Sequence, residues 1–178
     1  MSRSLILACG NTLRGDDGVG WWIAGRIEQY FSAPGVDVQF VRQFTPELAE
    51  PISAADLVVF VDCSTITAPG AVSVLPVHPI ESMPRIFTHH LDPASVLGLA
   101  SELYGRLPDR AYAVTVGGES FEMVEDLTEV VLAAIPTAVE LIGRILRSEK
   151  SAAKNAYAPP KEKAVPARTP TSWPAARR

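Results

Sequence analysis

Two adjacent carboxylates stand in a glycine-rich stretch, Gly10-Asn11-Thr12-Leu13-Arg14-Gly15-Asp16-Asp17-Gly18-Val19-Gly20, directly after the apolar run Leu5 to Cys9. Neighbouring carboxylates repel unless a cation, a proton or a donor offsets them, and glycines permit positive φ and close backbone approach. Such a loop is suited to receiving something positive. A third acid, Asp62, ends the apolar run Leu57 to Val61, where a charge is costly unless it is solvated or paired at the edge of a sheet. His89 and His90 stand together just before Asp92-Pro93. Two carboxylates and one imidazole converging on one edge would make a mixed oxygen and nitrogen site for a borderline divalent metal, with positions open to water or substrate. Singly, each residue has an ordinary reading: Asp17 as a helix-terminus acid, Asp62 as an Asx turn, the histidines as surface or core residues. Their joint placement favours the chemical reading.

The elements that must position these groups alternate. Strands are expected at Leu5 to Cys9, Val36 to Arg42, Leu57 to Asp62, Ala71 to Val77 and Ala111 to Val116, and helices at Asp17 to Phe31, Pro46 to Ile52, Pro93 to Tyr104 and Leu127 to Arg147. The first, third and last strands are near-continuous in Val, Leu and Ile, which suits a sheet covered on both faces. Val72 to Leu75 partly alternates after the Pro69-Gly70 turn, as an edge strand does. Asp92 followed by Pro93 is a helix start with Asp as N-cap, and Pro136 should kink the last helix or begin it afresh. Alternation of this kind implies an α/β three-layer sandwich with a mostly parallel five-stranded sheet. Its carboxyl edge is the usual place for a site, and both acid segments fall there.

Composition sets the outer limits. A chain of 178 residues, 47% hydrophobic and 20% charged, suits one globular domain. No apolar run approaches the roughly 20 residues of a membrane span, and Met1 to Ser4 leads into a strand without the apolar core of a signal peptide; a cytoplasmic protein with no membrane partner is expected. Two cysteines, Cys9 and Cys63, cannot make a disulfide framework and read as buried free thiols. Residues 148–178 carry seven Lys/Arg against Glu149 and Glu162 and five of the fifteen prolines, so a disordered basic tail is expected after a domain of residues 1–147. With the overall charge at −4, the remainder is acidic, which argues against nucleic acid as its partner.

The motif set, Gly10-Asn11 with Asp16-Asp17-Gly18-Val19-Gly20, then a strand ending in Asp62, then Thr88-His89, resembles the hydrogenase maturation proteases. The likeness spans about Leu5 to Arg147. It implies an endopeptidase that removes a C-terminal peptide from the nickel-loaded large-subunit precursor of a [NiFe] hydrogenase. It also implies a metal site of Asp17, Asp62 and His89, with His90 the alternative, and nickel supplied by the precursor, other divalent metals being able to substitute. Many relatives carry an Asp-Gly-Gly turn after the second strand, where this chain has Arg42-Gln43-Phe44-Thr45-Pro46-Glu47-Leu48; a variant with Gln and Thr-Pro-Glu-Leu fits a subtype. For the hydrolysis itself, either the metal lowers the pKa of a bound water or Asp17 or Asp16 serves as general base. The segment Gly117 to Glu122 is expected at the rim of the cleft.

Rival readings use the same residues. A nickel chaperone or checkpoint protein would bind without cutting. A receiver-like phospho-acceptor domain also gathers acids at a sheet edge, but the acids here lie beyond a glycine loop and no lysine follows Val116. The spacing of Gly15, Gly18 and Gly20 is wrong for a dinucleotide fingerprint. No Gly-x-Ser-x-Gly elbow and no His-Glu-x-x-His helix occurs, which removes support for serine hydrolases and zincins.

Overall fold

The computed structural model describes residues 2–31, 33–80 and 91–155. Five strands, β1 (Ser4–Cys9), β2 (Val36–Val41), β3 (Leu57–Ser64), β4 (Val72–Pro76) and β5 (Arg110–Gly117), form one sheet in the order β2-β1-β3-β5-β4. All neighbours are parallel except β4, which runs antiparallel to β5 at the edge. Helices α1 (Val19–Phe31) and α4 (Glu129–Asn155) cover one face, and α2 (Ala49–Ser53) and α3 (Pro93–Tyr104) the other.

Successive side chains of a strand point to opposite faces, and here both faces are covered. Ile6, Val59 and Val61 pack with Ile23, Ile27, Val131 and Ile142 on the first face. Leu5, Leu7, Val58 and Phe60 pack with Ile52, Leu97 and Ala100 on the second. That is why β1 and the first part of β3 show no polar alternation: every residue from Ser4 to Cys9 and from Leu57 to Val61 is buried. Each fully buried Leu, Ile or Phe contributes roughly 1.5–3 kcal/mol, so these two strands anchor the sheet. Strand β4 is half-exposed, as befits an edge.

From β1 the chain passes through α1 to β2 on one side of the sheet, whereas β3 is followed by elements on the other side. The carboxyl ends of β1 and β3 therefore flank the point where the connections diverge, and a crevice forms there in sheets of this kind. Asp17 follows β1 and Asp62 lies near the end of β3.

Three details differ from the sequence pattern. Asp17 does not open α1 but sits in a short 3-10 helix, Gly15–Gly18, that precedes it. The last helix begins at Glu129 and passes through Pro136 without ending. Pro136 lies on the exposed side of the helix, where the carbonyl left without a donor by its missing N–H is open to solvent. The same helix continues to Asn155, past the boundary drawn at Arg147. Asp92 does cap α3, accepting from the Ser95 N–H at 2.7 Å with Pro in the first turn, and Gly105 closes that helix at φ 63°. Among the described residues no helix is long and apolar enough to cross a membrane.

Candidate active site

The acid loop is shaped by how closely it folds back on β1. Gly10 has φ 138°, and a Cβ there would collide with the Asp17 carbonyl. At the start of α1, a Cβ on Gly20 would collide with the Cys9 carbonyl and come within 2.9 Å of the Val61 carbonyl. Glycine at these two positions lets the loop and the helix press against the ends of β1 and β3 together. Asn11 sets the loop from within: its backbone N–H donates to Asp17 Oδ2 at 3.0 Å, and its side-chain Oδ1 accepts from the Leu13 N–H at 3.0 Å. The Asp17 carboxylate is thus turned back toward the strand ends and half-buried.

Asp62 lies across from Thr115 in the β3–β5 register, and its Oδ1 accepts from the Cys63 N–H at 2.8 Å. Burial pushes its carboxyl up from 3.8 to about 6; the Cys63 N–H pulls the other way, and the nearby Asp17 charge adds to the rise. The fold therefore brings Asp17 and Asp62 into electrostatic contact at one edge, and the pair is short of positive charge. Both thiols beside it feel the same field. Burial, then Asp62 and Asp17, push Cys9 and Cys63 up to about 12; Cys9 also donates weakly to the Arg42 carbonyl at 3.7 Å. Both cysteines are free; Cys9 is buried, as expected, and Cys63 is half-buried.

Asp16 behaves differently from its neighbour. It is fully buried. One oxygen accepts from the N–H groups of Glu119 and Ser120 at 2.8 and 2.9 Å, the other from the Thr128 N–H at 2.7 Å, and the Thr128 hydroxyl reaches both. Burial alone would raise this carboxyl, but the donors of Ser120, Thr128 and Glu119 outweigh it and hold it below the ordinary value. A general base needs an accessible lone pair of adequate basicity. Asp16, fully buried with both oxygens engaged, is poorly placed for that role and acts in this structure as a fastener. It ties the acid loop to the segment after β5 and to the start of α4, and Gly15 N–H to Val124 O at 2.7 Å and Asp16 N–H to Ser120 O at 3.0 Å complete the seam. Glu119 and Ser120, in the segment expected at a rim, supply two of the donors of this seam.

His89 and His90 lie outside the described residues. Leu91 is described, and its N–H donates to the Phe44 carbonyl at 3.3 Å, just past the end of β2. Among the described residues no group of three His, Cys, Asp or Glu could hold a metal ion. The partners of Asp16 were not foreseen. Thr128 is 112 positions away in the chain, and nothing local in Leu127-Thr128-Glu129 announces a carboxylate from another loop.

No protein-family model matches this chain, and no curated protein sequence matches it. Solved structures do. The hydrogenase maturating endopeptidase HybD from E. coli is 29% identical, with 83% of this chain and 93% of that one covered and a TM-score of 0.67. The [NiFe] hydrogenase maturation protease HybD from Thermococcus kodakarensis is 26% identical over 80% of this chain and 98% of its own, with a TM-score of 0.60. HycI from the same organism, also a [NiFe] hydrogenase maturation protease, is 25% identical over 82% and 93%, with a TM-score of 0.64. In sheet order, acid loop and these likenesses the chain is similar to the hydrogenase maturation proteases.

Proposed function

We propose that this peptidase removes a C-terminal peptide from the large-subunit precursor of a [NiFe] hydrogenase after nickel loading, and that nickel held by the precursor is its recognition element. The observation that carries the reading is the paired Asp17 and Asp62, in which a half-buried carboxyl rises to about 6 beside a second carboxylate. A divalent ion brought by the substrate offsets that repulsion, and an unloaded precursor brings none, so the pair discriminates between the two forms. His89 is the proposed third ligand and His90 its alternative. Leu91 is bonded to Phe44 beside this edge, and two residues of chain reach at most about 7 Å. The names of the similar structures, maturation endopeptidases, support the same activity. Free thiols at Cys9 and Cys63 fit a reducing, cytoplasmic setting.

Hydrolysis requires a water that loses a proton as it attacks the peptide carbonyl. That proton goes to Asp17 as general base, or its loss is eased by the substrate's ion; Asp16, with both oxygens occupied, takes no part. The test is to incubate the protein with nickel-loaded and nickel-free precursor and follow mass loss at the precursor's C-terminus, for the parent and for Asp17→Ala, Asp62→Ala and His89→Ala. Cleavage of the loaded form alone is expected. Equal cleavage of both forms would overturn nickel recognition, and nickel-dependent binding with no mass loss would favour the checkpoint reading.

A further inference from the structure

A cleft of about 560 Å³ opens beside the acid loop. The outer face of α1 forms one wall with Trp22, Gly25 and Arg26; Glu125 and Asp126 form the other; Leu13 closes the end within the acid loop. The walls are fastened to each other. Val124 is bonded to Gly15, and Thr128 to Asp16, so the Glu125-Asp126 wall is gripped on both sides by the loop that carries Asp17. Leu13, in turn, is bonded to Asn11, whose backbone holds the Asp17 carboxylate. The cleft therefore abuts the loop that carries Asp17, with Thr12 and Leu13 of that loop in its lining.

Its surface is unusual for an unoccupied face. Trp22 and Leu13 are 45% and 44% exposed, and among the described residues the acids opposite them make no ion pair with Arg26. Gly25 stands in the middle of a 13-residue helix, where glycine weakens the helix relative to alanine. A Cβ at Gly25 would meet nothing within 4 Å, so no packing inside this chain demands glycine. Its effect is to keep the floor of the cleft flat between Trp22 and Arg26. From Trp22 to Gln29 the wall runs for about 10 Å at the rise of an α-helix, the span of about three extended residues.

We propose that this cleft seats the stretch of the protein substrate next to the bond that is cut. An extended polypeptide crosses Gly25, lays an apolar side chain on Trp22 and Leu13, and sets a basic side chain against Glu125 and Asp126. Opposite charges on the two walls fix the direction in which the chain lies. The proposal rests on the endopeptidase reading and adds to it where the substrate binds.

The test fills the cleft from its floor. Gly25→Trp and the helix-favouring Gly25→Gln are compared with the parent and with Gly25→Ala, using nickel-loaded precursor with its C-terminal extension and checking each variant by thermal melting. Filling should raise KM by about tenfold while kcat stays within about twofold, the pattern of lost uniform binding, with Gly25→Ala raising KM less than the larger side chains do. The charge reversal Glu125→Lys with Asp126→Lys should raise KM as well. Binding of nickel-free precursor, which is not expected to be cut, to the parent and to Gly25→Gln gives a readout independent of cleavage. If the parent binds nickel-loaded precursor without cutting it, the endopeptidase reading falls, while weaker binding by the filled variant still upholds the cleft. If the filled variants are folded and cut with the parent's KM, the cleft proposal is overturned and the activity stands. A parent dimer that Gly25→Trp turns to monomer at unchanged KM would likewise overturn it, making the face one of self-association.

Discussion

Asp16 and Asp17 are adjacent in the chain and face opposite fates. Asp16 turns inward to four donor groups of the segment Glu119 to Thr128, is fully buried, and is more acidic than usual. Asp17 turns to the ends of β1 and β3, has one backbone donor from Asn11, and shares its space with the strained carboxyl of Asp62. The same side chain is thus a fastener where donors surround it and a candidate ligand where they do not. The inner seam holds the loop still, and rigid support of this kind lets a site keep its geometry.

The largest effect expected on either side of that comparison is on the outer pair. Asp17→Ala or Asp62→Ala should reduce cleavage of nickel-loaded precursor to background while leaving the melting temperature close to the parent's. Mass spectrometry of the precursor and a thermal melt of the enzyme decide it together. A variant of either residue that cuts at the parent's rate would place that acid with Asp16, as structure only.

Asp16→Ala should do the reverse in emphasis. It leaves buried N–H donors without a partner, each costing about 1–3 kcal/mol, so chemical denaturation should show a loss of at least about 3 kcal/mol. The sign with pH follows from its depressed value. A carboxyl held below its ordinary range stabilises the fold fully above that range and loses the contribution as pH falls through the folded value. The deficit of Asp16→Ala should therefore be complete at neutral pH and shrink in acid. A deficit that stays constant into acid would mean the carboxylate's charge contributes nothing to the seam.

Asp62 has the opposite sign. Its carboxyl is raised from 3.8 to about 6, so in metal-free protein the fold loses stability as pH rises through that interval. Asp62→Asn removes the charge and keeps the shape. It should match the parent below about pH 4 and exceed it above about pH 6 by roughly 1–2 kcal/mol, allowing for water that reaches this half-buried group. Denaturation curves at several pH values in the presence of a chelator measure it. A variant less stable than the parent at neutral pH would show that Asp62 is satisfied in the resting protein, and the contrast with Asp16 would collapse.

How much of this was legible in the sequence differs between the two sides. Strands β1 and β3 announced themselves because burial on both faces leaves long runs of Val, Leu and Ile, and the antiparallel edge strand announced itself by alternation after Pro69-Gly70. The convergence of Asp17 and Asp62 was legible too, since both acids follow such strands and parallel strands end on one edge. The division of labour between Asp16 and Asp17 was not. It depends on Glu119, Ser120 and Thr128, which reach Asp16 from more than 100 residues away through backbone N–H groups that every residue type but proline carries. The choice between a helix that runs through Pro136 and one that begins afresh there was left open for a similar reason: it depends on which side of the helix faces water, and that is fixed by tertiary packing.

The smallest predicted effect extends the comparison from carboxylates to glycines. On the inner side, Gly10 and Gly15 have φ of 138° and 54°, and a Cβ at Gly10 would strike the Asp17 carbonyl, so the backbone itself requires glycine. Gly25, on the cleft floor, has helical neighbours on both sides and open space where a Cβ would sit. Alanine there removes backbone freedom from the unfolded chain and meets no clash, so Gly25→Ala should stabilise the protein by about 0.5–1 kcal/mol. A matching Gly10→Ala should destabilise it by more than that, since the added methyl group has nowhere to go. Thermal or urea denaturation of the two variants gives the contrast directly. A loss of stability in Gly25→Ala would mean that this glycine too is held by contacts within the chain, and the reason for reading an occupant into the flat floor of the cleft would go with it.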